Sequence, residues 1–237
     1  MAGDVARLAL YQRVVAEGNR TGRYVVQAQT LQANVRQWRN KLHVLPGIPK
    51  MHMAGLPEFV EDQERTMEIF AETVQTAKGF YEFRVVDVGP DFNLPIHWSA
   101  IQTADVVLLV ITPELTSILD VRNIVPALER TFGTLQKFRL VLNGFDEQFG
   151  ISPKEVVKHL GGKLTIVGTL PYAPADARMA INTGKPLVLA KKMSPVGEGL
   201  VRLATSFYPP LSALGRKREK REQVGLFSRM RTVFAEG

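Results

Sequence analysis

The chain contains no cysteine. Disulfides, thiolate zinc sites and cysteine nucleophiles are thereby excluded. Long hydrophobic runs are missing too: no stretch of about 18 apolar residues occurs, so no membrane-spanning helix is expected. The N-terminus lacks the basic, apolar and small-residue succession of a signal peptide, and the expectation is a soluble, cytosolic protein. Histidine is sparse. His43, His52, His97 and His159 are dispersed without an i, i+4 ligand partner, so spacing argues for neither a metal site nor a Ser-His-Asp arrangement. Met51-His52-Met53 reads as loop or core filler, and Trp38 and Trp98 as packing residues. What remains is a core-forming composition: 237 residues, 45% hydrophobic and 22% charged, enough for one domain or two small ones.

The net charge of +7 is unevenly placed. Residues 1–44 carry +5, residues 45–214 carry −2, and residues 215–237 carry +4. A near-neutral body therefore lies between two basic ends, which is not the field of a uniformly basic nucleic-acid binder.

The body alternates strand-like and helix-like patterns. Phe83–Val88, Val106–Ile111, Phe138–Leu142 and Leu164–Gly168 are short apolar, β-branched runs of the kind buried on both faces of a parallel sheet. Lys41–Leu45, stopped by Pro46-Gly47, is a weaker strand candidate. Between them, Phe59, Gln63, Met67, Phe70, Val74 and Ala77 follow helical spacing after Pro57. Ile118, Val121, Val125, Leu128 and Phe132 do the same. Ser152-Pro153-Lys154-Glu155 is a capping box, with Val156, Val157 and Leu160 on the apolar face that follows. Ser194-Pro195 opens a last body helix with Leu200, Leu203, Ala204 and Phe207 inward, ended by Pro209-Pro210. Upstream, Val5, Leu8, Ala9, Gln12 and Val15 form a short helical stripe broken at Gly18–Gly22, and residues 25–39 are expected to be helical. Strands and helices repeating in this order imply a parallel sheet with right-handed crossovers.

Asp87 stands out because it closes an apolar strand candidate, Val85-Val86-Asp87-Val88-Gly89. A carboxylate there is costly to bury without a partner or a metal. The carboxyl end of a parallel strand is where open α/β sheets bind ligands, and a Walker-B-like Asp needs this placement to organise Mg²⁺. An Asp that caps the following turn explains the segment equally well.

Several segments together resemble the MinD/ParA superfamily of P-loop ATPases. Phe80–Gly89 is similar to that family's Walker-B strand, Ala104–Glu114 to its next strand and exit, and Thr116–Asp120 to the helix after it. Leu140–Asn143, Val167–Tyr172 and Asn182–Leu187 resemble three later segments in the same order. Leu45-Pro46-Gly47 looks like the CpaE/TadZ branch, which serves Flp pilus assembly. The resemblance implies an α/β fold with a mostly parallel, doubly wound sheet (the SIMIBI type of P-loop NTPase, N-terminally incomplete here), with ATP and Mg²⁺ as cofactors. It places Asp87 toward Mg²⁺ through water, Gly89 in the adjoining switch loop, Asn143 at the adenine edge and Pro171 against the base. An Asn amide offers both a donor and an acceptor to adenine; on its own, Asn143-Gly144 would also suit a strand-end turn.

One departure matters more than these matches. P-loop chemistry needs a Gly-rich loop, a Lys on the phosphates and a Ser/Thr on Mg²⁺. Neither that pattern nor the family's variant KGGxGKT occurs in the 237 residues. Gly18–Gly22 has no Lys-Ser/Thr and follows no strand, and Gly184-Lys185 is followed by Pro186. The expectation is a chain that starts downstream of the family's usual beginning: truncated, degenerate, or completed by another chain. ATPase activity from this chain alone is not expected.

The C-terminal end has a pattern of its own. Arg216, Lys217, Arg218, Lys220 and Arg221 lead into Val224, Leu226, Phe227, Met230 and Phe234, which recur near helical spacing. A basic amphipathic helix of this kind suits an anionic membrane surface and resembles the C-terminal targeting helix of MinD. Packing on the body or a partner, or a solvated end, explains the pattern as well. The sequence thus divides into an N-terminal helical segment (1–40), a MinD/CpaE-like α/β domain (41–210) and a basic amphipathic tail (211–237). The implied function is spatial organisation at the inner face of the cell membrane, as a homodimer with pilus or secretion components as partners. A ParA-like DNA-partitioning protein, using the scattered N-terminal basic residues, and a noncatalytic dimeric scaffold are the alternatives.

Overall fold

The structure is a computed structural model that describes residues 14–38, 42–45, 62–89, 95–148, 150–189 and 193–210. The stripe from Val5 to Gln12, Met51–Met53, Pro57, Phe59 and the whole tail from Arg216 to Phe234 lie outside the described residues. The chain divides into two compact units, Met1–Asp105 and Val106–Gly237.

In the first unit, residues 14–21 are helical (α1). They are followed by α2 (Ala28–Asn34), β1 (Arg36–Trp38), β2 (Leu42–Val44), α3 (Gln63–Ala77) and α4 (Pro95–Thr103). The two glycines at 18 and 22 have different tasks. Gly22 ends α1 at φ +73°, its N–H donating to Gly18 O at 2.7 Å. Gly18 lies under the Tyr24 ring, where an added Cβ would come within 2.0 Å of a ring carbon. The Tyr24 hydroxyl donates to Asn19 Oδ1 at 3.0 Å, fixing the ring there. The expected helix over 25–39 is shorter in the structure. Val35 takes extended backbone, and Arg36–Trp38 pairs antiparallel with Leu42–Val44, which realises the weaker strand candidate as β2. Val14, Val26, Leu31 and Ile69 form the core of this unit, with Tyr24, Val35 and Ala77 against it. Thr76 Oγ1 donates to Val26 O at 2.8 Å, and the buried Ser99 hydroxyl donates to Met67 O at 3.0 Å, tying α4 to α3.

The strand expected over Phe83–Val88 is corrected here. Residues 83–89 run without ladder pairing to any described strand, and Val85 is 95% exposed. β-branched composition favours extended backbone, but a strand exists only with a neighbour to take its N–H and C=O groups.

The second unit is the parallel α/β part. Its order is β3 (Val107–Ile111), α5 (Leu115–Phe132), β4 (Phe138–Phe145), α6 (Pro153–His159), β5 (Thr165–Pro171), α7 (Pro174–Thr183), a 3₁₀ turn at Leu187–Leu189, and α8 (Pro195–Phe207). The strands form a parallel sheet in the order β3-β4-β5. β4 is its centre: Phe138, Leu140, Val141 and Leu142 are all buried, so both faces of the strand are covered. Such burial stabilises by roughly 1.5–3 kcal/mol for each large apolar side chain. On one face Val141 joins Leu170 and Val196, with Leu200 and Leu203 of α8 against them. This contact is close: a Cβ on Gly168 or on Gly199 would lie 2.9 Å from a leucine methyl. Glycine at those two positions lets α8 lie near β5. Alternation puts Leu140 and Leu142 on the other face, in register with the buried Leu109 and Ile111. α5 buries the stripe Ile118, Val121, Val125 and Leu128 and packs on β3. Pro126, inside α5, is exposed, so its missing N–H falls on the solvent side. Gly133 stops α5 at φ +68°.

The capping box of α6 forms as expected. Ser152 Oγ accepts from the Glu155 N–H at 3.4 Å, and Glu155 Oε2 accepts from the Ser152 N–H at 3.0 Å and from its hydroxyl at 2.6 Å. The Ser152 side-chain and backbone bonds hold the Glu155 carboxyl below the usual glutamate range. A lowered folded-state pKa means that the contribution is present above the ordinary glutamate pKa and fades as pH falls through the folded value. Glu155→Gln should therefore lower stability near neutrality, with the difference from the parent chain shrinking as pH falls through this acid window, read from urea midpoints measured across pH.

Candidate functional site

The carboxyl ends of β3, β4 and β5 form the rim where an open α/β sheet binds ligands. After β3, Thr112 closes a tight exit: its N–H donates to Ser117 Oγ at 3.2 Å and its hydroxyl to Glu114 Oε2 at 3.2 Å. Pro113 is buried beneath the rim, and its carbonyl accepts from the Ile151 N–H at 3.1 Å.

Asn143 and Pro171 are brought to this rim. Asn143 stands opposite Leu170, and Phe145 opposite Pro171, so Gly144 is the extra residue of a β-bulge. Gly144 has φ +75°, and the Tyr172 ring lies 3.6 Å from where its Cβ would be. The Tyr172 N–H donates to Phe145 O at 3.0 Å, holding the β5 exit beside the bulge. The Asn143 side chain is exposed while Leu142 before it is fully buried. The bulge thus ends the apolar strand and turns an amide to solvent. Tyr172, 65% exposed, adds an aromatic face that sequence reasoning quoted but did not single out. The available signal was an aromatic residue following a strand-end proline. An amide with both donor and acceptor, a proline and an open aromatic ring can together receive a flat heteroaromatic group.

Asp87 and Gly89 belong to the first unit. Asp87 is exposed, and its Oδ1 accepts from the Gly89 N–H at 3.4 Å, with Gly89 at φ +65°. This is the geometry of an Asp capping its own turn. Nearby, Arg84 donates to Tyr81 O at 2.8 Å and approaches Asp105 at 3.8 Å. As a magnesium–phosphate site these residues do not suffice. One exposed carboxylate is present, the sequence has no Gly-rich loop bearing Lys-Ser/Thr, and Gly18–Gly22 is a helix end. Among the described residues no group of three or more His, Asp or Glu is placed to hold a metal ion.

Comparison with known proteins bears on the fold. No protein-family profile matches the sequence, and no curated protein matches it significantly. Solved structures do. The MinD cell division protein of Aquifex aeolicus superposes with a TM-score of 0.52 at 26% identity, over 60% of this chain and 60% of that one. The cell division ATPase MinD of Pyrococcus furiosus gives 0.56 at 19% identity, over 76% and 72%. A ParA family ATPase from Chlorobium tepidum TLS gives 0.63 at 18% identity, over 77% and 71%. The chain therefore has an α/β fold like that of the MinD/ParA ATPases, at low identity, and spans 60% of the length of the Aquifex protein. No described helix is long and apolar enough to cross a membrane.

The bulge yields a direct test. Gly144→Ala finds space for its methyl, since 3.6 Å is ordinary contact, so its cost is that of the left-handed backbone, about 1–2 kcal/mol. Urea denaturation of Gly144→Ala against the parent chain measures it.

Proposed function

We propose that the chain is a MinD/CpaE-like protein that organises components at the cytoplasmic face of the cell membrane, in the CpaE/TadZ manner of pilus assembly. It works as a homodimer, with the tail from Arg216 to Phe234 on anionic lipid. What supports the fold half of this reading is the superposition on MinD at 26% identity. The tail half rests on sequence: a cluster of cations followed by bulky apolar residues at helical spacing. Each surface-facing Lys or Arg adds about 1 kcal/mol on an anionic leaflet, so five of them reinforce the apolar insertion.

In this reading Asn143 and Pro171, with Tyr172, take the adenine end of ATP, and the phosphate end lacks its loop and lysine. A nucleotide held at the base alone loses most of its backbone donors. No hydrolytic step is assigned to this chain.

Two experiments test the proposal. In an Mg-ATPase assay the purified chain should show no turnover above blank; turnover that Asp87→Ala abolishes would overturn the incomplete-site reading. In co-sedimentation with phosphatidylserine-containing vesicles, the full chain should pellet and a chain lacking residues 216–237 should stay in the supernatant. Equal pelleting of the two forms ends the membrane assignment, and salt-sensitive DNA binding in its place would favour the ParA-like partitioning alternative.

A further inference from the structure

At the end of the sheet opposite the rim, the amino ends of β4 and β5 open into a cavity of about 950 Å³. Small-ligand sites fall in this range. The end of α5, the turn after it, the start of β4 and the entry to β5 line the cavity. The turn is fixed by its own hydrogen bonds. The Gly133 N–H donates to Glu129 O at 2.9 Å, Thr134 Oγ1 accepts from the Gln136 N–H at 3.2 Å, and Leu135 O accepts from the Phe138 N–H at 2.9 Å.

Arg139 lines this cavity and is half-buried. Its guanidinium folds back on the turn: one nitrogen, Nη1, donates to both Gln136 O and Phe138 O, the latter at 2.9 Å. Of the N–H groups of a guanidinium, Nη1 carries two, so both are used here. The Nε and Nη2 edge keeps its donors, and among the described residues no carboxylate pairs with it. That edge is the fork that binds two oxygens of one oxyanion. Because two carbonyls already aim it, little side-chain freedom is lost when the fork is filled.

The neighbouring residues suit the same group. Thr165 stands beside Arg139 in the β4–β5 register and is exposed. Lys163 lines the cavity too, its Nζ 2.9 Å and 2.7 Å from the two carboxylate oxygens of Glu129. Lys137 Nζ lies 4.5 Å from the centre of the Phe132 ring and 5.9 Å from that of Phe138, a lining residue. Lys137, Arg139 and Lys163 thus share a single carboxylate, Glu129, and positive charge is in surplus. A carboxylate ligand brings one negative charge and two oxygens. A phosphate monoester brings close to two charges and three acceptor oxygens, which matches the surplus better.

We propose that this cavity binds the phosphate group of a phosphomonoester, with two oxygens on the Arg139 fork and the third toward Lys163 and the Thr165 hydroxyl. Glu129 is the internal competitor: it holds Lys163 until a phosphate displaces it. The Thr134 and Gln136 side chains suit a hydroxylated body on the ligand. A soluble sugar phosphate and a phosphatidate headgroup share this chemistry. The cavity is separate from the rim, so it stands or falls independently of the nucleotide reading.

The test is calorimetric titration of the full chain with ribose 5-phosphate, inorganic phosphate and, as control, ribose, at constant ionic strength. The two phosphates should bind and ribose should not. Arg139→Gln should weaken binding by about tenfold or more, the loss of a charge-assisted pair, and Arg139→Lys should not restore it, since an ammonium lacks the fork. Glu129→Gln should tighten binding, because Lys163 is released; a merely structural ion pair predicts no such gain. Thermal melting of each variant without ligand separates folding from binding. If Arg139→Gln fails to fold, the Glu129→Gln titration decides, and unchanged affinity there overturns the inference. Binding that Arg139→Gln leaves intact also overturns it. A preference for phosphatidate over phosphatidylserine vesicles that Arg139→Gln removes, without binding of the soluble phosphates, assigns the group to a lipid headgroup. No binding of the soluble phosphates and no such preference overturns the site altogether.

Discussion

The second unit depends on the burial of β4 on both its faces. Phe138, Leu140 and Leu142 face one way and Val141 the other, and none retains appreciable contact with water. A strand of this kind needs cover above and below, and only a layered arrangement supplies it. The close approach of α8, allowed by Gly168 and Gly199, meets that demand on the Val141 face. The parallel direction of β3 and β5 follows as well, since each is joined to β4 through a helix and not through a hairpin. The rim residues inherit their positions from β4: Asn143 follows Leu142 directly, and the bulge at Gly144 marks where burial stops.

Legibility in the sequence tracked how far local chemistry decided the local structure. The runs at 106–111, 138–142 and 164–168 became strands because each is apolar, short and placed between helices that can cover it. The stripe from Ile118 to Leu128 became the buried side of α5, and Ser152 and Glu155 formed their box atom for atom. Two helices, α4 and α7, carry no reading from the sequence. α7 has no buried residue, so it offers no apolar stripe, although Pro174 at its start and Gly184 at its end are the expected boundary signals. For Phe83–Val88 the composition was strand-like, but pairing is a property of two segments and not of one. The helix expected over 25–39 is cut short by β1 for a related reason: the partner at Leu42–Val44 captures Arg36–Trp38 at its end, while Ala28–Asn34 stays helical.

The candidate site was legible in parts of unequal kind. Asn143 and Pro171 were picked by resemblance, and the structure gives them a shared rim with a physical cause in the bulge. Tyr172 gains its interest from exposure, which no single sequence position reveals. Asp87 illustrates the converse. The same short segment fits a metal-facing carboxylate and a turn cap, and its hydrogen bond to the Gly89 N–H is the turn cap's.

The crossovers have a consequence for how the molecule comes into being. Val107 cannot meet Phe138 until all of α5 and the turn after it have been laid down, and Leu140 cannot meet Ile166 until α6 is in place. Loop closure must therefore precede every rung of this sheet, a slow order of events compared with a meander of hairpins. During synthesis the apolar run of β3 leaves the ribosome well before its partner strand exists. α5, with its glycine stop at Gly133 and its valine and leucine stripe, is the packing partner of β3 that follows it directly in the chain.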